Sequence, residues 1–561
     1  MDKLKVCFIW VRSFRNFNNA GINLSSTHKF YYDSIINKLT FDKVSPLPKD
    51  FFGKSITEVT ALIGKNGSGK SNALELICKI LKEGNTTISQ DFLIVAEVKG
   101  KFKCYHNFLN SVNEVNGIIE FEEYDGSIDP LKIIYFSNVY DQRINNFSTQ
   151  VSDISSNTRL PKRSYYISRG RKTDFEYQLN FITSGFYSLL EVAPPERILI
   201  SSNVWARRFN SSQRRDVFGQ NEQKFQQFES DFRKRLRGLV EQSRLYYLII
   251  FAFLKETISN LSHINFNKDI DTSKIVGEFL NNLYDYDIRS TNDIAQNMLI
   301  CLDSLTDNFS FLQDITKKNE SKRFKNQLEV LHILKNEIFN LDIRFETEGQ
   351  RGKITELFSF NFDERADKVL RSLAILDNSM YFNVDWLGIS SGHKAYLNLF
   401  SLIYEEVRRI KRNNLLLCID EGDLYLHPKW QIEFFSKLLN VLPDIYDGNI
   451  QLILTSHSPF LLSDIPKQCL TILDKNFESC TMDGVSLEKE TFAGNIYDLY
   501  ESPFFLGNQK KSVFSTKKIK QTIEALDKNS LSIDNDDIDK LIELIGDDVI
   551  RFHLKKRRNN D

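Results

Sequence analysis

Short runs of consecutive apolar residues recur along the chain, each followed by a polar or glycine-rich segment. The clearest run extends from Ile56 to Ile63 and contains several β-branched residues, which predicts a strand buried on both faces. Similar runs begin at Lys132, Leu415 and Gln451. Because such strands must be covered on both faces, the pattern predicts a central, mostly parallel sheet between two layers.

Apolar residues spaced three and four positions apart predict two amphipathic helices. The first follows the run 56–63 and has the apolar positions Ala73, Leu74, Ile77, Ile80 and Leu81. The second begins at Ser390, Ser391 and Gly392 and continues with the apolar positions Leu399, Phe400, Ile403 and Val407. A third segment, LYYLIIFAFL at 245–254, is too short to span a bilayer and predicts a buried helix.

The order of these patterns predicts one α/β head that is interrupted by an insertion. Residues 1–164 and 346–515 carry the strand-and-helix alternation, whereas 165–345 has helical periodicity without sustained heptads. We therefore expect a compact helical insertion over 165–345 and a helical tail over 516–561. Strand-like stretches between 93 and 136 predict an antiparallel β subdomain attached to the amino-terminal part.

Composition and charge are those of an ordinary globular protein. Of 561 residues, 41% are hydrophobic and 26% are charged, and 73 basic against 74 acidic residues give a net charge of −1. The nearly neutral net charge of the whole protein therefore does not favour the binding of nucleic acid. Seven scattered cysteines without a C-x-x-C pair argue against a zinc site or disulfide framework. With no signal-peptide pattern, we expect a cytoplasmic protein without a membrane partner.

Local basic clusters in the insertion leave a nucleic-acid face as an alternative to solvated helix surfaces. Tyrosine and phenylalanine residues lie between them. The clusters are Arg163, Arg169, Arg171 and Lys172; Arg207, Arg208, Arg214 and Arg215; and Arg233, Lys234, Arg235 and Arg237.

A glycine-rich loop joins the run 56–63 to the first predicted helix. It matches G-x-x-x-x-G-K-[ST] and consists of Gly64, Lys65, Asn66, Gly67, Ser68, Gly69, Lys70 and Ser71, followed by Asn72. Glycines let the backbone N–H groups turn inward around phosphate oxygens, and the helix amino terminus adds its positive dipole. In this pattern Lys70 reaches the β- and γ-phosphates and Ser71 binds magnesium, so the expected ligands are ATP and Mg²⁺.

The run Leu415–Ile419 ends in Asp420 and Glu421, and two interpretations compete for it. The sequence Glu421-Gly422-Asp423 can start the acidic set of a metal-dependent nuclease. Alternatively, Asp420 supports magnesium and Glu421 polarises the attacking water of an ATPase. The neighbours favour the ATPase, because a capped helix start at Ser390 is an anion site and His457 ends the next strand as a candidate phosphate sensor.

The order of P-loop, S-x-G helix, Asp-Glu strand and His457 resembles an ABC-type ATPase, and more closely the SMC-like and OLD-like bacterial ATPases. The opening IWVRSFRNFNNAGINLS at 9–25 resembles the amino-terminal hairpin of that group. LHPKWQ after Glu421, TSHSPFLLSDIP around His457 and TFAGNIYDLYESPFFL at 491–506 are typical of the OLD-like branch. Over roughly 1–160 and 350–510 the chain is most similar to the PtuA family of Septu anti-phage systems, including versions carried by retrons.

The resemblance implies a role for each matching residue. Lys70, Ser71, Asn72 and the Gly64–Gly69 backbone bind ATP and Mg²⁺, Asp420 supports the metal, Glu421 is the general base, and His457 contacts the γ-phosphate. Ser390 and Gly392 contact the nucleotide of a second subunit, which implies a head-to-head dimer or a higher oligomer. Arg15 lies near the nucleotide. The fold implied is an ABC/SMC-like P-loop ATPase head.

The magnesium-binding glutamine of the family has two candidates in this sequence. The segment KIIYFSNVYDQR at 132–143 falls where the Q-loop of the family lies, and Gln142 is the residue predicted there, with Asn138 as the rival. One departure from the family pattern stands at His393, where the residue after the signature glycine is usually Glu or Gln.

The function implied is a regulatory and scaffold ATPase of an anti-phage complex. It would control a separate HNH nuclease, with or without a reverse transcriptase and its msDNA. No second acidic strand follows His457, and the late run Asp534, Asp536, Asp537 and Asp539 predicts a helix amino terminus, so we expect no nuclease centre in this chain. The alternative is an SMC-like DNA-repair ATPase acting on DNA ends.

Overall fold

The computed structural model describes most of the chain. The described residues are 3–108, 119–128, 130–159, 173–205, 221–263, 277–278, 280–282, 294–312, 318–350, 353–376, 381–411, 413–474, 480–500, 513–528 and 535–558.

Strands and helices are numbered here in chain order over the described residues. The strands are β1 Leu4–Phe14, β2 Phe17–Asn23, β3 His28–Asp33, β4 Lys38–Lys43, β5 Ile56–Gly64, β6 Phe92–Val98, β7 Lys101–His106, β8 Ile119–Glu123, β9 Leu131–Ser137, β10 Val151–Asp153, β11 Arg197–Ser202, β12 Arg344–Gln350, β13 Lys353–Asn361, β14 Phe382–Leu387, β15 Asn414–Asp420, β16 Asn449–Ser456, β17 Leu470–Leu473 and β18 Thr481–Asp483. The helices are α1 Lys70–Lys82, α2 Ser156–Arg159, α3 Asp174–Thr183, α4 Glu222–Leu236, α5 Glu241–His263, α6 Ile294–Leu312, α7 Lys318–Phe339, α8 Glu364–Leu376, α9 Ser391–Arg409, α10 Pro428–Ile445, α11 Pro459–Asp464, α12 Ile496–Tyr500, α13 Val513–Lys528, α14 Asn535–Leu544 and α15 Asp548–Arg558.

The predicted parallel sheet is present as a seven-stranded sheet in the order β10-β9-β15-β16-β5-β17-β18. All neighbouring pairs from β10 to β17 are parallel, and β18 is the antiparallel edge. Asp420 on β15 stands opposite Ser137 on β9 and Thr455 on β16. The carboxyl ends of three strands that are far apart in sequence therefore meet at one edge.

Alternate residues of this sheet enter two separate cores, as a sheet covered on both faces requires. Leu416, Cys418 and Ile453 face a core that also contains α1 and strands β1 and β6. Leu415, Leu417 and Leu454 face a second core formed with α9, α10 and the helices of the insertion. The mixed α/β layer architecture predicted from the apolar runs is confirmed.

The subdomain predicted as antiparallel over 93–136 is a five-stranded sheet in the order β2-β1-β6-β7-β8. Its first four strands pair antiparallel, but β7 and β8 pair parallel. The predicted boundary is wrong at its end, because β9 pairs with β15 in the central sheet. The apolar residues of β9 predict a strand, but from sequence alone they could not show which of the two sheets that strand joins.

The insertion is less purely helical than predicted. Helix α5 contains the segment 245–254, whose side chains are all buried, as its apolar run predicted. However, β11 lies within 165–345 and pairs with β13 and β14 of the second ATPase segment. The insertion is thus joined to the head by a four-stranded sheet in the order β12-β13-β11-β14.

The structure bears differently on the predicted basic clusters and on the predicted helical tail. The clusters at 163–172 and 207–215 lie outside the described residues, whereas Arg233, Lys234 and Arg235 form the last turn of α4. Helices α13, α14 and α15 share a small core of their own, and α14 begins at Asn535 in the acidic run, as predicted. No helix in the described ranges is long and apolar enough to cross a membrane.

A buried ion pair joins the insertion to the four-stranded sheet. Arg244 on α5 donates to Glu356 on β13 over 2.6 Å, and their side chains are 15% and 5% exposed. Arg244 also lies 4.1 Å from the ring centroid of Phe345. Removing one member of such a pair leaves an uncompensated buried charge, which costs about 3–5 kcal/mol.

We therefore expect Glu356→Gln to lower the thermal unfolding midpoint clearly. The matched control is Glu120→Gln, because the pair between Lys101 and Glu120 is exposed and spans 3.5 Å, and exposed pairs contribute about 0–1 kcal/mol. Calorimetry of both variants makes the comparison. Equal midpoints in the two variants would contradict the role given to the buried pair.

Candidate nucleotide site

The glycine-rich loop connects β5 to α1, and its backbone requires glycine at specific positions. Gly67 and Gly69 have φ values of 74° and 103°, in the left-handed region that favours glycine. A Cβ atom at Gly64 would lie 2.3 Å from the carbonyl oxygen of Leu473. Lys65, Asn66 and Gly67 are exposed at the rim of the loop. The strand, loop and helix predicted from the motif are confirmed.

Lys70 is buried at the base of this loop. Its ammonium group donates to the carbonyl oxygen of Gly64 over 3.1 Å and lies 2.6 Å from Nε2 of His457. Burial lowers the pKa of Lys70 to about 8, because it removes water from the charged form. A buried cation without a full counter-charge is suited to receive an anion.

Asp420 is buried at the end of β15 and is surrounded by hydroxyl donors. Thr455 donates over 2.6 Å, and Tyr135 and Ser137 lie at 3.3 and 3.4 Å. Burial raises the pKa of Asp420, and the Thr455 hydrogen bond and the nearby Ser71 hydroxyl oppose that rise. The motif analysis missed Tyr135, Ser137 and Thr455; their positions at or next to strand ends were the available signal.

Glu421 has a left-handed backbone conformation, with φ of 50°. Its N–H donates to Thr455 Oγ1 over 3.0 Å, and its carboxylate lies 3.0 Å from Nε2 of His457. The hydrogen bond with His457 lowers the pKa of Glu421, which keeps the carboxylate ionised. Nε2 of His457 can donate to Glu421 or accept from Lys70, but it cannot do both at once.

Asp423 belongs to the loop after β15 and, among the residues that the structure describes, is not part of a group of three or more possible metal ligands. It is buried and accepts from Ser456 Oγ over 2.6 Å. Ser456 Oγ also accepts from the Ser458 N–H over 2.8 Å, so the two residues beside His457 are held in place. Gln431 completes the link, because its side chain bonds to Asp423 O and to Ser458 Oγ.

The residues present fit ATP and Mg²⁺. Ser68 Oγ is buried in the loop and, within the described structure, has no hydrogen-bond partner. The first N–H groups of α1 have no intrahelical acceptor, as at any helix start. Magnesium usually takes one or two protein ligands together with substrate phosphates and water, and Ser71 with Asp420 provides such a pair.

The signature residues lie at the start of α9. Ser390 caps the helix by accepting from the His393 N–H over 3.1 Å. A Cβ atom at Gly392 would lie 3.4 Å from the carbonyl oxygen of Tyr425, so the signature packs on the loop after β15. The His393 ring bonds to Tyr187 over 2.8 Å, and burial lowers its pKa.

The structure places the two magnesium-ligand candidates differently. Gln142 is exposed, has φ of 63°, and its N–H donates to Asn157 over 3.0 Å. Asn138 directly follows Ser137, which donates to Asp420. Asn138 Nδ2 is buried and without a hydrogen-bond partner among the described residues. Asn138 thus directly adjoins a residue that contacts Asp420, whereas Gln142 lies farther from Ser137 along the chain.

Arg15 lies at the turn between β1 and β2 and reaches α1, next to the loop. Its guanidinium donates to Asn72 over 3.2 Å and to Glu75 over 2.7 Å. Arg143 bonds to the same two residues from the other side. Sequence reasoning singled out Arg15 and also Gln142, the residue before Arg143, but it missed Arg143 and Glu75.

Residues 59–463 match the family described as "AAA domain, putative AbiEii toxin, Type IV TA system". The chain belongs to this family of ATPase domains. The match runs from β5 through the insertion to the segment after His457, so it includes the P-loop, Asp420, Glu421, the signature residues and His457, but not Arg15. Membership in the family implies nucleotide binding, typically with Mg²⁺.

Three relatives give the comparison more detail. The chain is 25% identical over 478 residues to the Retron Vc95 probable ATPase of Vibrio cholerae serotype O1 biovar El Tor, covering 82% of this chain and 75% of that protein. It is 32% identical over 93 residues to the Septu protein PtuA of Bacillus mycoides (strain KBAB4), covering 16% and 12%. It is 32% identical over 94 residues to the Retron Ec83 probable ATPase of Escherichia coli, covering 16% of each. The predicted resemblance to retron and Septu ATPases is confirmed.

Glu421→Gln tests the assigned base. The amide keeps the size of the side chain but cannot take a proton, so ATP binding should persist while turnover falls by about 100-fold or more. Phosphate release and equilibrium ATP binding measure the two effects separately. Glu433→Gln, a change in a helix-surface carboxylate paired with Lys437, is the control. Wild-type turnover in Glu421→Gln would exclude this residue as the base.

The matched variants Asn138→Ala and Gln142→Ala test which of the two residues contributes to magnesium binding. We expect Asn138→Ala to raise the Mg²⁺ concentration needed for half-maximal ATP hydrolysis, because it removes a buried polar group beside the Asp420 edge. Gln142→Ala should leave that concentration unchanged, since its side chain is exposed. Titration of hydrolysis with Mg²⁺ makes the measurement. The reverse result would assign the role to Gln142.

Proposed function

We propose that this chain binds ATP with Mg²⁺, hydrolyses it, and serves as the regulatory and scaffold subunit of an anti-phage complex. The observation that carries the proposal is the contact between Lys70, Glu421 and His457 beside Asp420. Each of these residues lies at or directly after the carboxyl end of a strand or at the first position of α1. This set provides an anion site, a metal-binding carboxylate and an ionised base within one cleft.

The chemistry assigns each side chain a task. Lys70 turns from His457 to the phosphates, so the single N–H of a neutral His457 is free to donate to the γ-phosphate. Glu421 then accepts a proton from the attacking water. Mg²⁺, held by Ser71 and Asp420, would neutralise charge on the phosphate oxygens. The hydroxyls of Thr455, Tyr135 and Ser137 keep Asp420 oriented while burial would otherwise favour its neutral form.

The signature residues complete the site in a second copy of the chain. Ser390 and Gly392 open α9 beside the loop after β15, and a helix start attracts anions. In this arrangement they approach the γ-phosphate held by the partner's P-loop, giving a head-to-head dimer or a higher oligomer. Nucleotide occupancy then biases the assembly, because the bound phosphate is shared between two chains.

The partner we propose is a separate HNH nuclease, restrained or positioned by the ATP-bound assembly. A reverse transcriptase with its msDNA is a further proposed member. The names of the relatives support this, since two are retron ATPases and one is a Septu protein. The extensive similarity to one retron ATPase includes the insertion, where a partner-specific surface is best placed.

Affinity purification from the native host, with mass spectrometry and sequencing of bound nucleic acid, tests the assignment. We expect a stoichiometric HNH nuclease with the wild-type chain. The same purification with Lys70→Ala, which removes nucleotide binding, should change the amount of bound nuclease. Recovery of the ATPase alone with enriched DNA ends would instead support the DNA-repair alternative.

A further inference from the structure

Glu75 on α1 is the centre of an unbalanced charge cluster outside the catalytic set. Its carboxylate is fully buried and forms ion pairs with Arg15 over 2.7 Å, with Lys79 over 2.9 Å, and with Arg143. In the described part of the chain, it is the one carboxylate that pairs with any of these three cations. The cluster therefore carries a net charge of about +2.

The burial of the Glu75 carboxylate accounts for the presence of one neighbouring cation, but it does not account for three. A buried ion needs a partner, and a single well-placed cation meets that need. The two remaining positive charges are only partly buried, since Arg15 and Arg143 are 40% and 29% exposed. Their exposed surface is open to a further anion, whereas Lys79 is 11% exposed and lies one turn farther along α1.

The position of the two arginines identifies that anion. Both guanidinium groups donate to Asn72 Oδ1, at 3.2 Å for Arg15 and 2.9 Å for Arg143. Asn72 directly follows Ser71 in the first turn of α1, where a P-loop holds phosphates. Asn72 also donates to Asn16 over 2.6 Å, and Asn16 donates to the carbonyl oxygen of Ser68 over 3.3 Å. The arginines are therefore fixed to the loop itself.

Ser71 and Asn72 are successive residues in the first turn of α1, and they lie toward different parts of the triphosphate. The Ser71 hydroxyl lies toward Asp420, on the side of Glu421 and His457, where the γ-phosphate is cleaved. Asn72 is rotated by about 100° around the helix axis from Ser71 and faces the arginines. Groups on the Asn72 side therefore lie away from the γ-phosphate and beside the α- and β-phosphates.

We infer that Arg143, together with Arg15, forms a second phosphate contact that binds the α,β-side of the nucleotide, with Glu75 and Asn72 as the residues that position it. This inference rests on the proposed ATP site. Planar guanidinium groups suit bidentate binding of phosphate oxygens, which a lysine at the same place could not reproduce. Glu75 keeps both arginines at the loop, so less side-chain entropy is lost on binding.

Binding of ATP and ADP to purified Arg143→Gln, measured by calorimetric titration, tests the inference. We expect both affinities to fall by about tenfold or more, and to the same extent, because a charge-assisted hydrogen bond to a shared phosphate is lost. Arg143→Lys should retain part of the affinity through its charge. Lys79→Gln is the matched control, since it also removes a cation from Glu75 but should bind both nucleotides like wild type.

Three results would overturn the inference. Wild-type affinities in Arg143→Gln would show that the arginine serves Glu75 alone. An equal loss of nucleotide affinity in Lys79→Gln would show that both variants act by destabilising the cluster around Glu75. In that case the thermal unfolding midpoints of the two variants would fall by the same amount. A loss confined to ATP would place Arg143 at the γ-phosphate. Failure of the wild-type chain to bind either nucleotide would instead contradict the proposed function.

Discussion

The parallel register of β9, β15, β16 and β5 is the constraint on which the rest of the structure depends. It places Ser137, Asp420 and Thr455 side by side although they are separated by up to 318 residues in the chain (455 − 137). The loop after β5 then delivers Lys70 to the same edge. A shift of one residue would turn each side chain to the other face of the sheet. The alternation of Leu416 and Leu417 between two cores resists such a shift.

This edge concentrates polar groups that are costly to bury, and the protein offsets that cost with local hydrogen bonds. Asp420 accepts hydrogen bonds from the hydroxyls of Thr455, Tyr135 and Ser137, and the N–H of Glu421, whose backbone is left-handed, donates to Thr455. Strained backbone of this kind persists only where its surroundings fix it. Lys70 and His457 lie within hydrogen-bonding distance of each other at the same edge.

The insertion contacts the signature helix and α10 through hydrogen bonds. Tyr187, in the segment between α3 and β11, bonds to His393 on α9. Lys437 on α10 reaches the carbonyl oxygen of Leu190 in the same segment. Because β11 also pairs with β13 and β14, the insertion contacts both the four-stranded sheet and the helix that begins at Ser390 and Gly392. The unusual residue His393 is therefore a structural junction.

The sequence by itself determined the elements with strong local signals: the P-loop from Gly64 to Ser71, the buried strands, and the buried helix at 245–254. Those signals are local, since a glycine turn, a β-branched run and helical spacing each act within a few residues. Only the tertiary structure decided which strands pair, and so it moved β9 into the central sheet and placed β11 in the head. It also brought Arg143 beside Arg15 on Glu75, because a contact across 128 residues (143 − 15) leaves no periodic trace in the sequence.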